Sequence, residues 1–144
     1  MLGHAAEEKL QLAHVELIHG LERLRSIADA LDDATEETAA ALVSEANSIV
    51  QEQIVKHERD DEAKVYPGLS KILRDSRGLS AMSRAHREIQ HVARLLGRAA
   101  ADLSTLTIDR YLIHDAQRLI ITIETLVRIH SAQEDDLYSA VAAR

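Results

Sequence analysis

Leu10, Leu17, Leu21, Leu24 and Leu31 stand three, four or seven residues apart, and nearly the whole 144-residue chain continues in such steps. That is the period of an α-helix with one buried face, and it excludes the two-residue alternation of a half-buried sheet. One proline and five glycines are too few for a loop-rich sandwich or barrel. The periodicity predicts helix 1 from about Glu7 to Leu31, closed by Asp32 and Asp33. Thr35, followed by Glu36 and Glu37, reads as the N-cap of helix 2, with an acidic first turn. Helix 2 carries Leu42, Val43, Ile49, Val50 and Ile54 inward, and is expected to bend or end near Pro67. After a turn at "DSRGLS" (75–80), helix 3 presents Met82, Ile89, Val92, Leu96 and Leu103. After "STLTID" (104–109), helix 4 presents Leu112, Leu119, Ile123, Leu126, Val127, Leu137 and Val141. Short connections make neighbours antiparallel, so the expected fold is all-α: one domain over residues 1–144, an up-down-up-down four-helix bundle.

The chain also repeats itself. "AHVELIHGLERL" (13–24) matches "AHREIQHVARLL" (85–96) in its Ala-His pair, its Glu and its second His, at an offset of half the chain. "HERDDEAKVY" (57–66) and "HSAQEDDLY" (130–138) share a His with an acid four residues on. The bundle therefore reads as two copies of one helical hairpin.

Eight histidines are many for this length, and phase sorts them. At about 100° per residue, His14, His57, His86 and His130 fall on the apolar stripes of their own helices. His19 and His91 fall on the opposite faces, His114 is out of phase near the third turn, and His4 lies in a fraying N-terminus. Asp61 and Glu134 follow His57 and His130 by four residues, a turn of about 40° that lets each pair serve one centre. Glu62 turns away from His57, and Glu58, about 100° off, sits at the edge of the inward arc as a further candidate. Measured from the turns, the four histidines and two acids lie at one height near one end of the bundle. Tyr66 and Tyr138 follow the acids at similar spacing; Tyr138, nearly in phase with the core, is expected to pack there, with a hydrogen bond to a ligand or bound oxygen species as the alternative.

Buried unpaired charges would cost several kcal/mol each, and cations satisfy such a set together. Four imidazoles and two carboxylates exceed what one tetrahedral zinc takes. They suit two octahedral ions bridged by the carboxylates and an oxo or hydroxo group, and a nitrogen-rich set of this kind suits iron. The alternative is a buried histidine–carboxylate network in a metal-free helical bundle. The shorter arm of Asp61 is expected to weaken or respace one metal.

The totals narrow the rest. A net charge of −7 gives no basic footprint for nucleic acid. No apolar run approaches a membrane span, and no secretory signal pattern opens the chain. The absence of cysteine excludes disulfides, thiolate metal sites and a cysteine nucleophile, and suits a cytoplasmic location.

In these residues the chain resembles the hemerythrin-like (HHE cation-binding) family. "HERDDEAKVYP" and "HSAQEDDLY" look like its second- and fourth-helix signatures; "LAHVELIHGLERL" and "RAHREIQHVARLL" look like its lone-histidine patterns. The resemblance implies metal-ligand roles for His14, His57, Asp61, His86, His130 and Glu134. The oxygen-carrying hemerythrins have a second histidine in helix 3 where this chain has Gln90. They place the helix 4 acid five residues after the His, whereas here Glu134 comes at four and Asp135 at five. The likeness is thus to the broader HHE group, in which an extra carboxylate such as Glu58 can replace the missing histidine. It implies a diiron protein that binds O2, NO or peroxide for sensing, storage or detoxification, with peroxide decomposition as a possible enzymatic activity. An alternative is an iron- or oxygen-responsive module whose metal-dependent folding controls a protein partner.

Overall fold

The computed structural model describes residues 2–105 and 108–143 as four long antiparallel helices. Helix α1 is His4–Ala30. Helix α2 runs through 36–72 as the successive segments Glu36–Ile49, Val50–Val55, Lys56–Asp60, Asp61–Val65 and Tyr66–Ile72. Helix α3 is Arg77–Thr105 and α4 is Arg110–Ala142. Each helix packs on its two neighbours in a square bundle, α1 against α2 and α4, α3 against α2 and α4. Among the described residues no helix is long and apolar enough to cross a membrane.

Helix α2 starts at the cap the sequence suggests, and α4 has a cap of the same kind. Thr35 Oγ1 accepts a hydrogen bond from the Thr38 amide at 3.2 Å, and Asp109 Oδ1 accepts one from the Leu112 amide at 2.9 Å. Each satisfies an amide that helix geometry leaves without a partner. Within the expected third turn, Leu106 and Thr107 lie outside the described residues.

Of the two outcomes expected near Pro67, an end is overturned: helix α2 continues to Ile72. The segments Val50–Val55 and Asp61–Val65 are π-helical, with one extra residue per hydrogen-bonded turn. The second wide turn lies just before Pro67, where a proline ring would clash with the carbonyl four residues back in a regular helix.

Helix α4 also departs from the predicted stripe. Its buried line is Ile113, Ala116, Ile120, Ile123, Val127, His130, Glu134, Tyr138 and Val141. Leu112, Leu119, Leu126 and Leu137 are half-buried at its flank. On α3, Leu79, Ala93, Ile89, Leu96 and Leu103 are buried, while Met82 and Val92 are half-buried.

The apolar core falls into two clusters. The larger includes Leu17, Leu21, Ile54, Val55, Ile89 and Val127; the smaller includes Tyr66, Leu69, Leu79, Tyr138 and Val141. On every helix the change from one cluster to the other brackets an inward histidine: Leu10 and Leu17 around His14, Val55 and Val65 around His57, Met82 and Ile89 around His86, Val127 and Leu137 around His130. A polar layer thus crosses the bundle between two apolar ones.

Candidate metal centre

Each helix delivers one histidine to this layer, and α2 and α4 add acids. His14, His57, Asp61 and Glu134 form one group of converging donor atoms; Glu58, His86, His130 and Glu134 form a second, with donors within 4.8 Å of one another in each. Glu134 belongs to both. Its Oε1 lies 3.2 Å from His14 Nε2 and 3.3 Å from His130 Nε2. Asp61, expected to share the bridging with Glu134, belongs only to the first group, with Oδ2 3.1 Å from His57 Nε2. Its side chain is a methylene shorter than that of Glu134.

Glu58 is fully buried rather than at the edge of the layer, with Oε2 2.6 Å from His86 Nε2 and 3.4 Å from His130 Nε2. The wide turn Val50–Val55 explains the difference. An extra residue in the turn shifts the phase of the residues after it, so the adjacent His57 and Glu58 both reach the layer. The remaining histidines stay out of it: His4, His19, His91 and His114 are exposed, as are Glu16 and Glu88. Gln90 is half-buried and belongs to neither group.

Sequence phase missed three supports. Asp135 Oδ1 lies 2.7 Å from His14 Nδ1, and Glu62 Oε1 lies 2.8 Å from His86 Nδ1. One histidine of each group is thus held from outside by a carboxylate. Such a contact orients the ring and favours the tautomer whose Nε2 lone pair points inward. Glu62 was expected to turn away, but it needs only to reach the outer edge of a neighbouring helix's ring. Tyr66, to which phase assigned no role, donates its hydroxyl to Glu134 Oε2 at 2.5 Å and lies 3.1 Å from His86 Nε2. Tyr138 donates to the same carboxylate oxygen at 3.3 Å. The two phenols fix one oxygen of Glu134 and leave the other facing the histidines.

The electrostatics follow from burial set against pairing. Burial alone lowers an imidazole pKa, yet all four histidines end above the ordinary value because neighbouring carboxylates hold the proton. Glu134 and Asp135 do this for His14, and Asp61 and Glu58 for His57. His86 is raised to about 10 and His130 to about 9, chiefly by Glu134 and Glu58. Burial pushes carboxylates up, but the same histidines hold Glu58 and Glu134 below their usual range. Asp61 ends raised, since burial and the charges of Glu134 and Glu58 outweigh His57. Burial and Glu134 raise both tyrosines, so they remain neutral donors.

Close approach does not satisfy this layer. Among the described residues, seven buried side-chain atoms have no aligned hydrogen-bond partner: His57 Nε2, both oxygens of Glu58, Asp61 Oδ2, both nitrogens of His130 and Glu134 Oε1. All seven belong to the two groups, and an unsatisfied buried polar atom costs about 1–3 kcal/mol, more when charged. Nitrogen and oxygen donors that crowd together without bonding one another fit two cations sharing Glu134.

The model of the hemerythrin HHE cation-binding domain family matches residues 5–142, a span holding both donor groups and the four helices but for the first residue of α1. No match to the chain is found among curated proteins or among solved structures. The four-helix bundle, the layer of histidines and acids and the family match agree: this chain belongs to the hemerythrin HHE cation-binding domain family.

Proposed function

We propose that the chain is a non-haem diiron protein that binds O2 or a related small species, NO or peroxide, for sensing, storage or detoxification. The observation that carries this reading is the pair of donor groups sharing Glu134, with their buried, unsatisfied atoms. His14, His57, Asp61 and Glu134 would hold one ion; Glu58, His86, His130 and Glu134 would hold the other. When bound, two iron ions supply redox capacity and an exchangeable position for a small ligand. The chain's own residues do the rest. Asp135 and Glu62 orient His14 and His86, while Tyr66 and Tyr138 fix Glu134. The apolar clusters on either side exclude water along the bundle axis.

The iron-loaded protein is expected to change its visible spectrum saturably with NO or peroxide and to remove peroxide faster than the His57→Ala/His130→Ala variant. Equal rates for the two, with no ligand-dependent spectrum, would refute the reading.

A second reading, a metal-dependent module that recruits a protein partner, draws on the same unsatisfied atoms, since metal binding to them is also folding energy. It requires the metal-free chain to lose helicity, which circular dichroism before and after chelation measures.

A further inference from the structure

A groove of about 530 Å³ runs between α1 and α2, and His57 and Asp61 of the first donor group form part of its lining. None of Glu58, His86, His130 or Glu134 lines it. A diatomic molecule or peroxide needs a small part of that space, whereas pockets of about 300–1,000 Å³ hold larger organic molecules.

The lining changes character at one point along α2. His57, Asp60, Asp61 and Lys64 come first; Val65, Gly68, Leu69 and Ile72 follow. Helix α1 runs antiparallel, and the rings of His14 and His57 are level, with centroids 5.2 Å apart. Lys9, five residues before His14, therefore falls opposite the polar stretch, and Leu2 and Ala6 fall opposite the apolar one. Lys64 has Asp60 at 3.7 Å, and Lys9 makes no ion pair among the described residues. One end of the groove carries Lys9, without an ion pair, beside the His57–Asp61 pair and the Lys64–Asp60 pair; the other offers only apolar wall.

We propose that this groove binds an aliphatic carboxylate. Its head lies at the His57–Asp61 end beside Lys9, and its tail lies along Val65, Leu69 and Ile72. The head group's place rests on the metal-site reading above, since an oxygen acid suits a cation held by His57 and Asp61. The tail's place does not.

Calorimetric titration of the iron-loaded chain with sodium decanoate tests the proposal. Saturable binding is expected, with affinity rising about fourfold per methylene from hexanoate to decanoate. Gly68→Phe adds a ring at a residue lining the apolar half, where a Cβ meets nothing within 4 Å, and circular dichroism of the variant checks that the fold is kept. It is expected to weaken binding about tenfold or more, and Lys9→Glu about threefold, with Lys71→Glu, exposed and outside the groove, as the unchanged control. Absence of saturable binding, or binding indifferent to Gly68→Phe, overturns the proposal. If 1-decanol binds as tightly as decanoate and Lys9→Glu is silent, the acidic head is overturned. Iron content is measured on the same samples. A chain that takes up no iron but binds decanoate with the same Gly68→Phe sensitivity keeps the groove ligand and refutes the metal centre.

Discussion

Glu134 is the residue on which the layer turns, because one carboxylate faces three histidines and two phenols. Tyr66→Phe removes a donor and leaves Glu134 Oε2 with the longer Tyr138 hydrogen bond and His86 Nε2 at 3.6 Å. It is expected to lower stability by about 1–2 kcal/mol, read from urea midpoints of the metal-free protein. A midpoint equal to wild type would mean that Tyr66 merely packs. Glu62→Gln and Asp135→Asn are expected to weaken iron binding about 10–100-fold in competition with a chelator, while leaving the helices intact. At this scale the sequence was legible for the inward histidines and for the acids one turn after them, since those follow from phase on a single helix. It was not legible for Glu62, Asp135 or Tyr66, whose partners lie on other helices. A hydroxyl or carboxylate at the end of a long side chain escapes a test that asks only where the Cα–Cβ bond points.

At the scale of the helix, the two wide turns of α2 decide what reaches the centre. The first brings Glu58 inward beside His57, and the second carries α2 past Pro67 so that Tyr66 stays buried. A reading at constant pitch cannot place an extra residue in a turn, so it left Glu58 at the edge and could give only a bend or an end near Pro67. Helix α4 failed differently. Ile123, Val127 and Val141 of the predicted stripe are buried, but the leucines at 112, 119 and 126, which repeat every seven residues, are only half-buried, and Ile113 and Ile120, each one residue on from Leu112 and Leu119, take the core positions instead. The adjacent lines are equally apolar, and only the packing of α1 and α3 against α4 chooses between them. Ile120→Ala is accordingly expected to cost about 2–5 kcal/mol, clearly more than Leu119→Ala, in paired denaturant titrations. The reverse order would restore the leucine stripe.

For the molecule as a whole, the fold was readable because helix period, scarce breakers and short connections allow few alternatives to an antiparallel bundle. Its centre imposes a pH signature on the metal-free protein. His86 and His130 bind protons more tightly when folded, with values of about 10 and 9 against an ordinary 6.5. Their contribution is complete below about pH 6.5 and is lost as pH rises through 9 to 10. Glu58 and Glu134 are lowered from 4.5, so their contribution is present above that value and is lost on acidification. Metal-free protein should therefore melt at its highest temperature between about pH 5 and 6.5 and at falling temperatures toward pH 10. The iron-loaded protein should not share that alkaline loss, because a cation then takes the place of the protons. Parallel thermal melts across pH distinguish the two. The most direct test of the central claim is elemental analysis, with an absorption spectrum, of protein purified in air after growth with iron. The expected result is about two iron ions per chain and a near-ultraviolet band lost in His57→Ala. A protein without metal, taking up none on anaerobic addition of iron, would contradict it and leave the layer as a hydrogen-bonded core.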